Sequence, residues 1–320
     1  MRGQRHHVGP KLTARAIVNP AAAGGRVGRQ WPAIADALAA AIGPCQVRLT
    51  AGPLDAARLA VEAALDGCEL IVAVGGDGTV NEVVDGLLSA PGDASTRPVL
   101  GIVMMGTGGD LARTLALPPT VGEQARRLAG RDVRAIDVGR AHFVADDGTR
   151  RSRYFVNIAS FGLSGLTARA VNARRWTRLL GAKLAFQLGV VQALLRWRNQ
   201  PVALTVDGAR ELTATMKLCA IANGNWFGGG MRIAPDAAVD DGRLDIVIVG
   251  DVSAATLIRR LPMVYRGDHV RLPVVQVAHG RSVEARSLTP APLPLELDGE
   301  SPGHLPARFE LVDRALRIRA

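Results

Sequence analysis

The sequence predicts an α/β domain followed by a β-rich domain, and two residue patterns along the chain support this division. Up to about residue 135, short apolar strands alternate with Gly-rich loops and helical patterns, which is typical of a doubly wound parallel sheet with helices on both faces. Beyond that point, short apolar runs are separated by Gly, Asp-Gly and Pro turns, which indicates antiparallel strands. We therefore predict a first domain over residues 1–135 and a second over 136–307.

The elements of the first domain follow one another in strand–loop–helix order. We predict strands at Arg15–Val18, Gln46–Thr50, Leu70–Val74 and Val99–Val103, and helices at Trp31–Ile42, Leu54–Leu65, Val80–Leu88, Leu111–Leu115 and Val121–Arg127. Since ligands of such sheets lie beyond the carboxyl ends of the strands, the Gly-rich loops found there are the candidate binding loops.

The second domain contains short strands and one long helical pattern. We predict strands at Tyr154–Ile158, Val202–Val206, Leu218–Ile221, Leu244–Val249, Gln276–Ala278 and Leu293–Leu297, with a helix at Leu166–Arg198.

Composition narrows the class of protein. Hydrophobic residues make up 48% of the 320 residues but aromatic residues only 4%, so Ala, Val, Leu and Ile must form the core. The three cysteines form no CxxC motif or Cys/His cluster, which argues against a disulfide framework or a zinc site and favours the cytoplasm. No apolar run follows the basic residues among the first fifteen, so we expect no secretory signal, and the longest apolar runs, such as Leu70–Val74 and Ile246–Val249, are too short to span a membrane.

The net charge of +10 suggests a nucleic acid, an anionic membrane surface or a phosphorylated small molecule as partner. A preference for Arg over Lys that has no functional meaning is the simpler alternative.

The loop Gly75-Gly76-Asp77-Gly78-Thr79 follows a predicted buried strand. Glycines allow backbone N–H groups to approach a phosphate, and the following helix adds a favourable dipole. Asp77 can hold Mg²⁺ or orient a hydroxyl nucleophile, Thr79 can cap the helix or bind a phosphate oxygen, and Glu82 can brace the loop. A tight turn with ordinary capping residues is the alternative.

Three further loops extend this pattern. Gly106-Thr107-Gly108-Gly109-Asp110 follows the next apolar strand, so the two loops suggest one shared anion site. The loop that begins at Asn19 and ends at Arg26 lies at the same predicted edge and can add backbone donors and an arginine. Asp298-Gly299-Glu300, taken alone, is an ordinary hairpin turn with two solvated carboxylates.

Together these motifs resemble a known family. Asn-Pro-x-x-x-Gly-Gly, Gly-Gly-Asp-Gly-Thr-Val-Asn-Glu, Gly-Thr-Gly-x-Asp-Leu-Ala-Arg and Asp-Gly-Glu occur in this order, as in the diacylglycerol kinase catalytic fold that sphingosine and ceramide kinases share. Segments 157–162 and 221–224 are similar to strands of bacterial members, so the resemblance covers about residues 14–319.

The resemblance implies an α/β nucleotide domain and a C-terminal β-sandwich, with ATP and a lipid meeting between them. The last element, near Phe309–Arg319, is expected to return to the first domain, which would add residues 308–320 to it. The resemblance also assigns roles to individual residues. Glu300 is the expected general base, with Asp77 as the alternative, Asp298 supports the turn, and ATP is expected to contact Asn19, Gly75, Gly76, Gly78, Thr79, Gly106, Thr107 and Gly108.

Two positions qualify this assignment. Asp241 matches a turn that binds a structural Mg²⁺ in bacterial members, although an Asp-Gly hairpin would look the same. Gly109 stands where the family usually has Asn, so the side-chain amide that could bind the nucleotide or brace the loop is missing.

The stretch 169–198 suggests how a lipid substrate could be reached. It carries seven basic and no acidic residues, interleaved with Leu, Val, Phe and Trp, a pattern that favours docking on an anionic membrane surface. The same pattern would arise if the apolar side chains faced the core and the arginines faced solvent.

Other functions fit the sequence less well. NAD kinases share the Gly-Gly-Asp-Gly-Thr loop but lack Gly-Thr-Gly-x-Asp-Leu-Ala-Arg, and few aromatic residues are available for stacking on nucleic acid. An inactive nucleotide-binding homologue remains an alternative because of Gly109. The sequence ranks diacylglycerol first as acceptor, ahead of another glycerolipid or a sphingoid base, and a homodimer is plausible from the family.

Overall fold

The computed structural model describes residues 13–105, 109–130, 132–172, 193–194 and 197–320. The strands are β1 (Ala14–Val18), β2 (Gln46–Leu49), β3 (Leu70–Gly75), β4 (Val99–Met104), β5 (Arg134–Ala145), β6 (Arg150–Phe155), β7 (Ile158–Gly162), β8 (Gln200–Val206), β9 (Arg210–Ala222), β10 (Leu244–Gly250), β11 (Val275–Gly280), β12 (Ser282–Ser287), β13 (Pro294–Leu297) and β14 (Glu300–Arg319). The helices are α1 (Ala22–Ile42), α2 (Asp55–Leu65), α3 (Asp77–Ser89), α4 (Asp110–Thr114), α5 (Val121–Ala129), α6 (Leu163–Asn172) and α7 (Ala254–Arg266).

The N-terminal part is a parallel sheet in the order β2-β1-β3-β4. Every residue of β1, β3 and β4 is buried, because helices cover both faces. Side chains of α1 and α5 pack on one face and those of α2 and α3 on the other. The predicted doubly wound α/β domain is therefore confirmed.

Helices α2 and α3 approach closely at Gly86. A Cβ atom at this position would lie 2.8 Å from the carbonyl carbon of Ala57, so only glycine allows this contact. The approach packs the C-terminal half of α3 against α2.

The C-terminal part is antiparallel and β-rich, as predicted. Strands β13, β7, β9, β10 and β11 lie side by side, and β8, β12, β14, β5 and β6 form the remainder of the sheet. The core between these layers includes three fully buried phenylalanines. Phe309 contacts Phe155 edge-on at 6.4 Å and stacks on Phe161 at 6.3 Å between ring centroids.

Strand β14 connects the two parts. It pairs with β13, β12 and β5 in antiparallel fashion, and its end pairs in parallel with β4 through Ile318 and Leu100. Its last residues thus lie beside the N-terminal sheet, although most of the strand belongs to the C-terminal part.

Some elements differ from the prediction. Helix α3 begins at Asp77, three residues before the predicted start, so Asp77, Gly78 and Thr79 form its first turn. The predicted strand Tyr154–Ile158 is divided between β6 and β7, because the amides of Val156, Asn157 and Ile158 all donate to the carboxylate of Asp298.

The predicted helix Leu166–Arg198 begins earlier, at Leu163, and is described as far as Asn172. Residues 173–192, 195 and 196 of this prediction lie outside the described residues. Within the described part of the chain, no helix is both long and apolar enough to cross a membrane.

Candidate active site

The turn from β3 into α3 forms the first part of the site. Gly76 is extended and precedes the first helical residue, Asp77, so the amide groups at the N-terminus of α3 follow directly on the end of β3. These groups and the helix dipole make the helix N-terminus a suitable site for a phosphate. The structure thereby brings the predicted residues Gly75, Gly76, Gly78 and Thr79 together.

Asn19 connects this turn to the neighbouring strand. It follows β1, and its Nδ2 donates to Thr79 Oγ1 at 3.0 Å, while its Oδ1 accepts from the Ala21 amide at 3.1 Å. The side chain of Thr79 is buried and occupies the space beside Gly75, where an added Cβ would lie 2.6 Å from Thr79 Cβ. Gly75 is therefore required by packing in addition to any ligand.

Two predicted residues lie further from the turn. The side chain of Glu82 accepts from the Ala56 amide at 3.2 Å, so it caps α2 and does not brace the glycine loop through that bond. Arg26 is exposed and follows three residues with left-handed backbone, Ala23, Gly24 and Gly25.

Asp77 has a neighbouring carboxylate, Asp110. Burial raises the pKa of Asp77, although hydrogen bonds from backbone amides, including that of Leu111 at 3.1 Å, oppose the shift. Burial also raises the pKa of Asp110, and the charge of Asp77 adds to this effect. Asp110 accepts from the amides of Gly229 and Gly230 at 2.7 and 2.8 Å, so it also binds a loop of the C-terminal part.

The second glycine loop is only partly described. Gly106, Thr107 and Gly108 lie outside the described residues. Gly109, the residue immediately before α4, has φ 57° and ψ 29°. It lines a cavity of 260 Å³ together with Met104, Arg113 and Gln124. A second hollow, of 600 Å³, lies on the outer face of β5, β6, β8, β12 and β14, away from the glycine loops.

Asp298 joins the two parts of the molecule. Its Oδ2 accepts from Asn81 Nδ2 of α3 at 2.8 Å and from the Val156 amide at 2.7 Å. Its Oδ1 accepts from the amides of Asn157 and Ile158 at 3.1 and 2.8 Å. Burial raises its pKa to about 6 even though all four hydrogen bonds lower it. With four donors around it, Asp298 supports the turn.

Two further carboxylates lie beside Asp298. Glu300 begins β14 and is exposed, whereas Glu296 in β13 is only 7% exposed. Glu296 accepts hydrogen bonds from Ser160 Oγ and from the Gly299 amide. The turn therefore combines the buried Glu296 and the partly buried Asp298, which hold it, with the exposed Glu300 at its end.

The comparisons with known proteins match both parts of the chain. The family model for the diacylglycerol kinase catalytic domain matches residues 13–141, and that for the YegS C-terminal NAD kinase beta sandwich-like domain matches residues 157–320. The chain belongs to the diacylglycerol kinase family.

Individual relatives of this family match most of the chain. A diacylglycerol kinase of Bacillus subtilis is 32% identical over 265 residues, which is 82% of each chain. A protein of Chromohalobacter salexigens named "Probable lipid kinase YegS-like" is 34% identical over 282 residues, 86% of this chain and 83% of its own. The crystal structure of a diacylglycerol kinase from Bacillus anthracis superposes with a TM-score of 0.70 at 25% identity, covering 96% of both chains. The resemblance predicted from the motifs is thus confirmed, and the chain is a member of a family of lipid kinases.

Asp241, the residue predicted to bind a structural Mg²⁺, pairs with Arg243. Its Oδ2 forms an ion pair with Arg243 at 3.0 Å, and its Oδ1 accepts from the Arg243 amide at 3.3 Å. Among the described residues, no three His, Cys, Asp or Glu side chains are grouped so that they could hold a metal ion.

Three site residues were not predicted from the sequence. Asn81 is part of the Val-Asn-Glu motif, which was recognised, but its partner Asp298 is 217 positions away. Asp110 and Asn157 likewise act through distant partners, since Asn157 accepts from Thr114 Oγ1 at 2.9 Å and donates to the Trp226 carbonyl at 2.5 Å. Each of the three residues lies in a motif that carries the family resemblance, and this is the feature of the sequence that could have pointed to it.

Little of the basic stretch 169–198 is described. Arg169 Nη2 pairs with Asp146 at 2.5 Å, and its Nε donates to Ser301 Oγ at 3.1 Å. Trp197 packs against the hydrophobic clusters of the C-terminal part. Trp197 therefore agrees with the alternative in which the apolar side chains of the stretch face the core.

Proposed function

We propose that this chain is an ATP- and Mg²⁺-dependent kinase that transfers the γ-phosphate to the primary hydroxyl of a lipid, with diacylglycerol as the first candidate and phosphatidic acid as its product. The observation that carries the proposal is the 2.8 Å hydrogen bond between Asn81 and Asp298. It places the helix that would bind phosphate next to the turn that carries Glu300.

The phosphate groups would be held by the N-terminal amides of α3 and by the Gly75–Thr79 turn, which Asn19 and Thr79 keep in place. Because phosphoryl transfer depends mainly on positioning and charge stabilisation, such a rigid cradle accounts for much of the required catalysis.

Mg²⁺ fits the carboxylate of Asp77. This ion is commonly held by one or two carboxylates together with phosphate oxygens. Burial raises the pKa of both Asp77 and Asp110, and the charge of Asp77 adds to the shift of Asp110, so a cation bound beside them would favour their ionised forms. When bound, Mg²⁺ would neutralise charge on the phosphates.

Glu300 and Asp77 are the two candidates for accepting the proton of the acceptor hydroxyl. Glu300 is exposed beside the supported turn, where a lipid hydroxyl could reach it. The raised pKa of Asp77 brings this carboxylate closer to the range in which a general base works at neutral pH.

The test is transfer of labelled γ-phosphate from ATP-Mg²⁺ to lipids in mixed micelles. Diacylglycerol, monoacylglycerol, phosphatidylglycerol and a sphingoid base would be compared. We expect labelled phosphatidic acid from the wild type, and a loss of ~100-fold or more in kcat for Asp77→Asn and Glu300→Gln. Glu284→Gln is the matched control, since its side chain is 62% exposed on the outer face of β12.

Each outcome of this test is informative. A labelled product from another lipid would change the acceptor and keep the kinase. No labelled lipid from the wild type, with ATP still bound, would indicate an inactive homologue and contradict the proposal. Full activity of both active-site variants would contradict the site.

We further propose that the chain docks on anionic membranes through the basic stretch 169–198. Each basic residue near such a surface contributes on the order of 1 kcal/mol. Sedimentation with phosphatidylglycerol vesicles should therefore fall for the triple variant Arg174→Gln, Arg175→Gln, Arg178→Gln. Equal binding to phosphatidylcholine vesicles, or no effect of the variant, would contradict the proposal.

A further inference from the structure

A buried carboxylate that the proposed reaction does not use lies directly beneath the Asp298–Gly299 turn. Its neighbours Leu295 and Leu297 face the main core of the C-terminal part, so the side chain of Glu296 projects from the opposite face of β13. There it meets Ser160 of β7, its direct cross-strand partner, which is fully buried.

The contacts of Glu296 connect it to the turn. Asp298 and Gly299 have φ of 45° and 93°, the left-handed pair of a two-residue hairpin turn with the favoured sequence Asp-Gly. The strand ladder of such a turn does not use the second amide, and here the Gly299 amide donates to Glu296. Ser160 Oγ donates to the other carboxylate oxygen.

We propose that Glu296 is a positioning residue, which holds the Asp298–Gly299 turn through the Gly299 amide and makes the placement of Glu300 dependent on pH near neutrality. The proposal rests on the proposed function in so far as Glu300 acts on the acceptor hydroxyl.

The surroundings of Glu296 explain why it would change its charge in this range. Burial raises its pKa to about 7; the hydrogen bonds from Ser160 and Gly299 oppose the shift, and the charges of Asp298 and Asp110 add to it. Helix α6, which packs on β13, has Arg169 as its one charged residue, and this side chain pairs with Asp146. Strand β7 carries no charged residue, and β14 contributes Glu300 at its start.

The two charge states hold the turn with different strength. A carboxylate accepts a charge-assisted hydrogen bond from the Gly299 amide, whereas the neutral acid accepts an ordinary and weaker one. We therefore expect the turn to loosen as the pH falls through the pKa of Glu296. Glutamine at position 296 would reproduce the neutral acid, since its oxygen can accept from Gly299 and its NH₂ can donate to Ser160.

The first experiment follows the Gly299 amide by ¹H–¹⁵N NMR in a pH titration of the full chain. In the wild type its shift should change with a midpoint near the pKa of Glu296, and Glu296→Gln should abolish that change. Ser160→Ala removes a hydrogen bond that lowers this pKa, so it should move the midpoint to higher pH. A Gly299 amide that does not titrate, or that titrates equally in all three proteins, would overturn the proposal.

The second experiment measures phosphate transfer to diacylglycerol over the same pH range. Glu296→Gln should lower kcat about tenfold at pH 8, leave KM for ATP within about twofold, and move the acid limb to lower pH, while Ser160→Ala should move that limb to higher pH. A KM effect without a kcat effect, or an unchanged profile, would assign Glu296 a purely structural role and overturn the proposal.

The two experiments separate the failure of this proposal from that of the proposed function. If the wild type transfers no phosphate but Gly299 titrates as expected, the proposed function fails and the control of the turn by Glu296 stands. If the wild type is active and Gly299 does not titrate, the proposed function stands and the role of Glu296 fails.

Discussion

Gly109 departs from the usual family motif, and its backbone conformation explains why the fold tolerates the change. With φ 57° and ψ 29° it lies in the left-handed region, which glycine adopts freely and asparagine more readily than most other residues. An added Cβ would have one close neighbour, Ala112 Cβ at 3.9 Å. Either residue therefore fits, and the chain lacks only the side-chain amide.

We expect Gly109→Asn to fold normally and to bind ATP about fivefold more tightly, because one additional hydrogen bond contributes about 1 kcal/mol. Isothermal titration calorimetry would measure the affinity. Gly109→Ala is the control, since it adds the backbone strain of a Cβ without the amide and should bind ATP no better than the wild type. Equal affinity of the asparagine variant and the wild type would show that a backbone group or water already fills this role.

Some residues of the candidate site could be identified from the sequence, and others only from the structure. Asn19, Asp77 and Thr79 could be predicted because they lie in glycine-rich loops whose purpose is recognisable from local sequence. Glu296 could not, because a single Glu in an apolar strand gains its meaning from Ser160, 136 positions away. The buried partner of a charged residue is a property of strand pairing, which local patterns do not contain.

At the scale of single elements, strand β3 and helix α3 form the turn that we propose as the phosphate site. The turn between them is tight because the side chain of Thr79 lies over Gly75, while Gly76 and Gly78 have open space where a Cβ would be. These glycines therefore serve different purposes: Gly75 allows the turn to form, and the other two leave room for a ligand.

Gly75→Ala should consequently destabilise the protein and abolish ATP binding, because its Cβ would lie 2.6 Å from Thr79 Cβ and push α3 away from β3. Gly78→Ala should weaken ATP binding while the Tm stays within about 2 °C of the wild type, as befits a conservative change on a helix surface. Thermal unfolding measures the Tm of both variants, and calorimetry measures their affinity for ATP. Equal losses of Tm would mean that Gly78 is also required for packing.

The order of elements in the N-terminal part was predictable because each strand is uniformly apolar and each loop is marked by glycine. Helix boundaries were less predictable, since Asp77, Gly78 and Thr79 read as loop residues but form the first turn of α3. Strand β5 and helix α7 were not predicted. Charged and polar residues interrupt β5, whose residues from Arg140 onward alternate between buried and partly exposed, and α7 contains Pro262.

At the scale of the whole molecule, two of the connections between the halves fix the position of the acidic turn. Strand β14 runs from the acidic turn at Glu300 to its pairing with β4, and Asp298 binds α3 through Asn81. The acidic turn and helix α3 are thus fixed to each other at one end of a strand whose other end pairs with the N-terminal sheet. A sequence motif can predict both parts of such a site, but the distance between them is set by this long-range pairing.

Because burial raises the pKa of acidic side chains at this junction, the free energy of unfolding should depend on pH. Burial raises the pKa of Glu296 to about 7 and that of Asp298 to about 6. A carboxyl group whose pKa is raised in the folded state stabilises the fold fully below its unfolded pKa, and this contribution is lost as the pH rises through the folded pKa. Both groups therefore favour the folded state at about pH 4–5 and lose that contribution by about pH 7–8.

Glu296→Gln removes one of these groups while preserving its two contacts. Its free energy of unfolding should match that of the wild type near pH 5 and exceed it at pH 8 by an amount on the order of 2 kcal/mol. Asp93→Asn provides a control of opposite sign, because hydrogen bonds from Ser95 lower the pKa of Asp93 to about 2, so this variant should be less stable than the wild type at both pH values. Urea unfolding at pH 5 and pH 8 measures the differences. If Glu296→Gln shows the same stability difference from the wild type at both pH values, Glu296 does not titrate between them, and the acidic turn remains ionised throughout the neutral range.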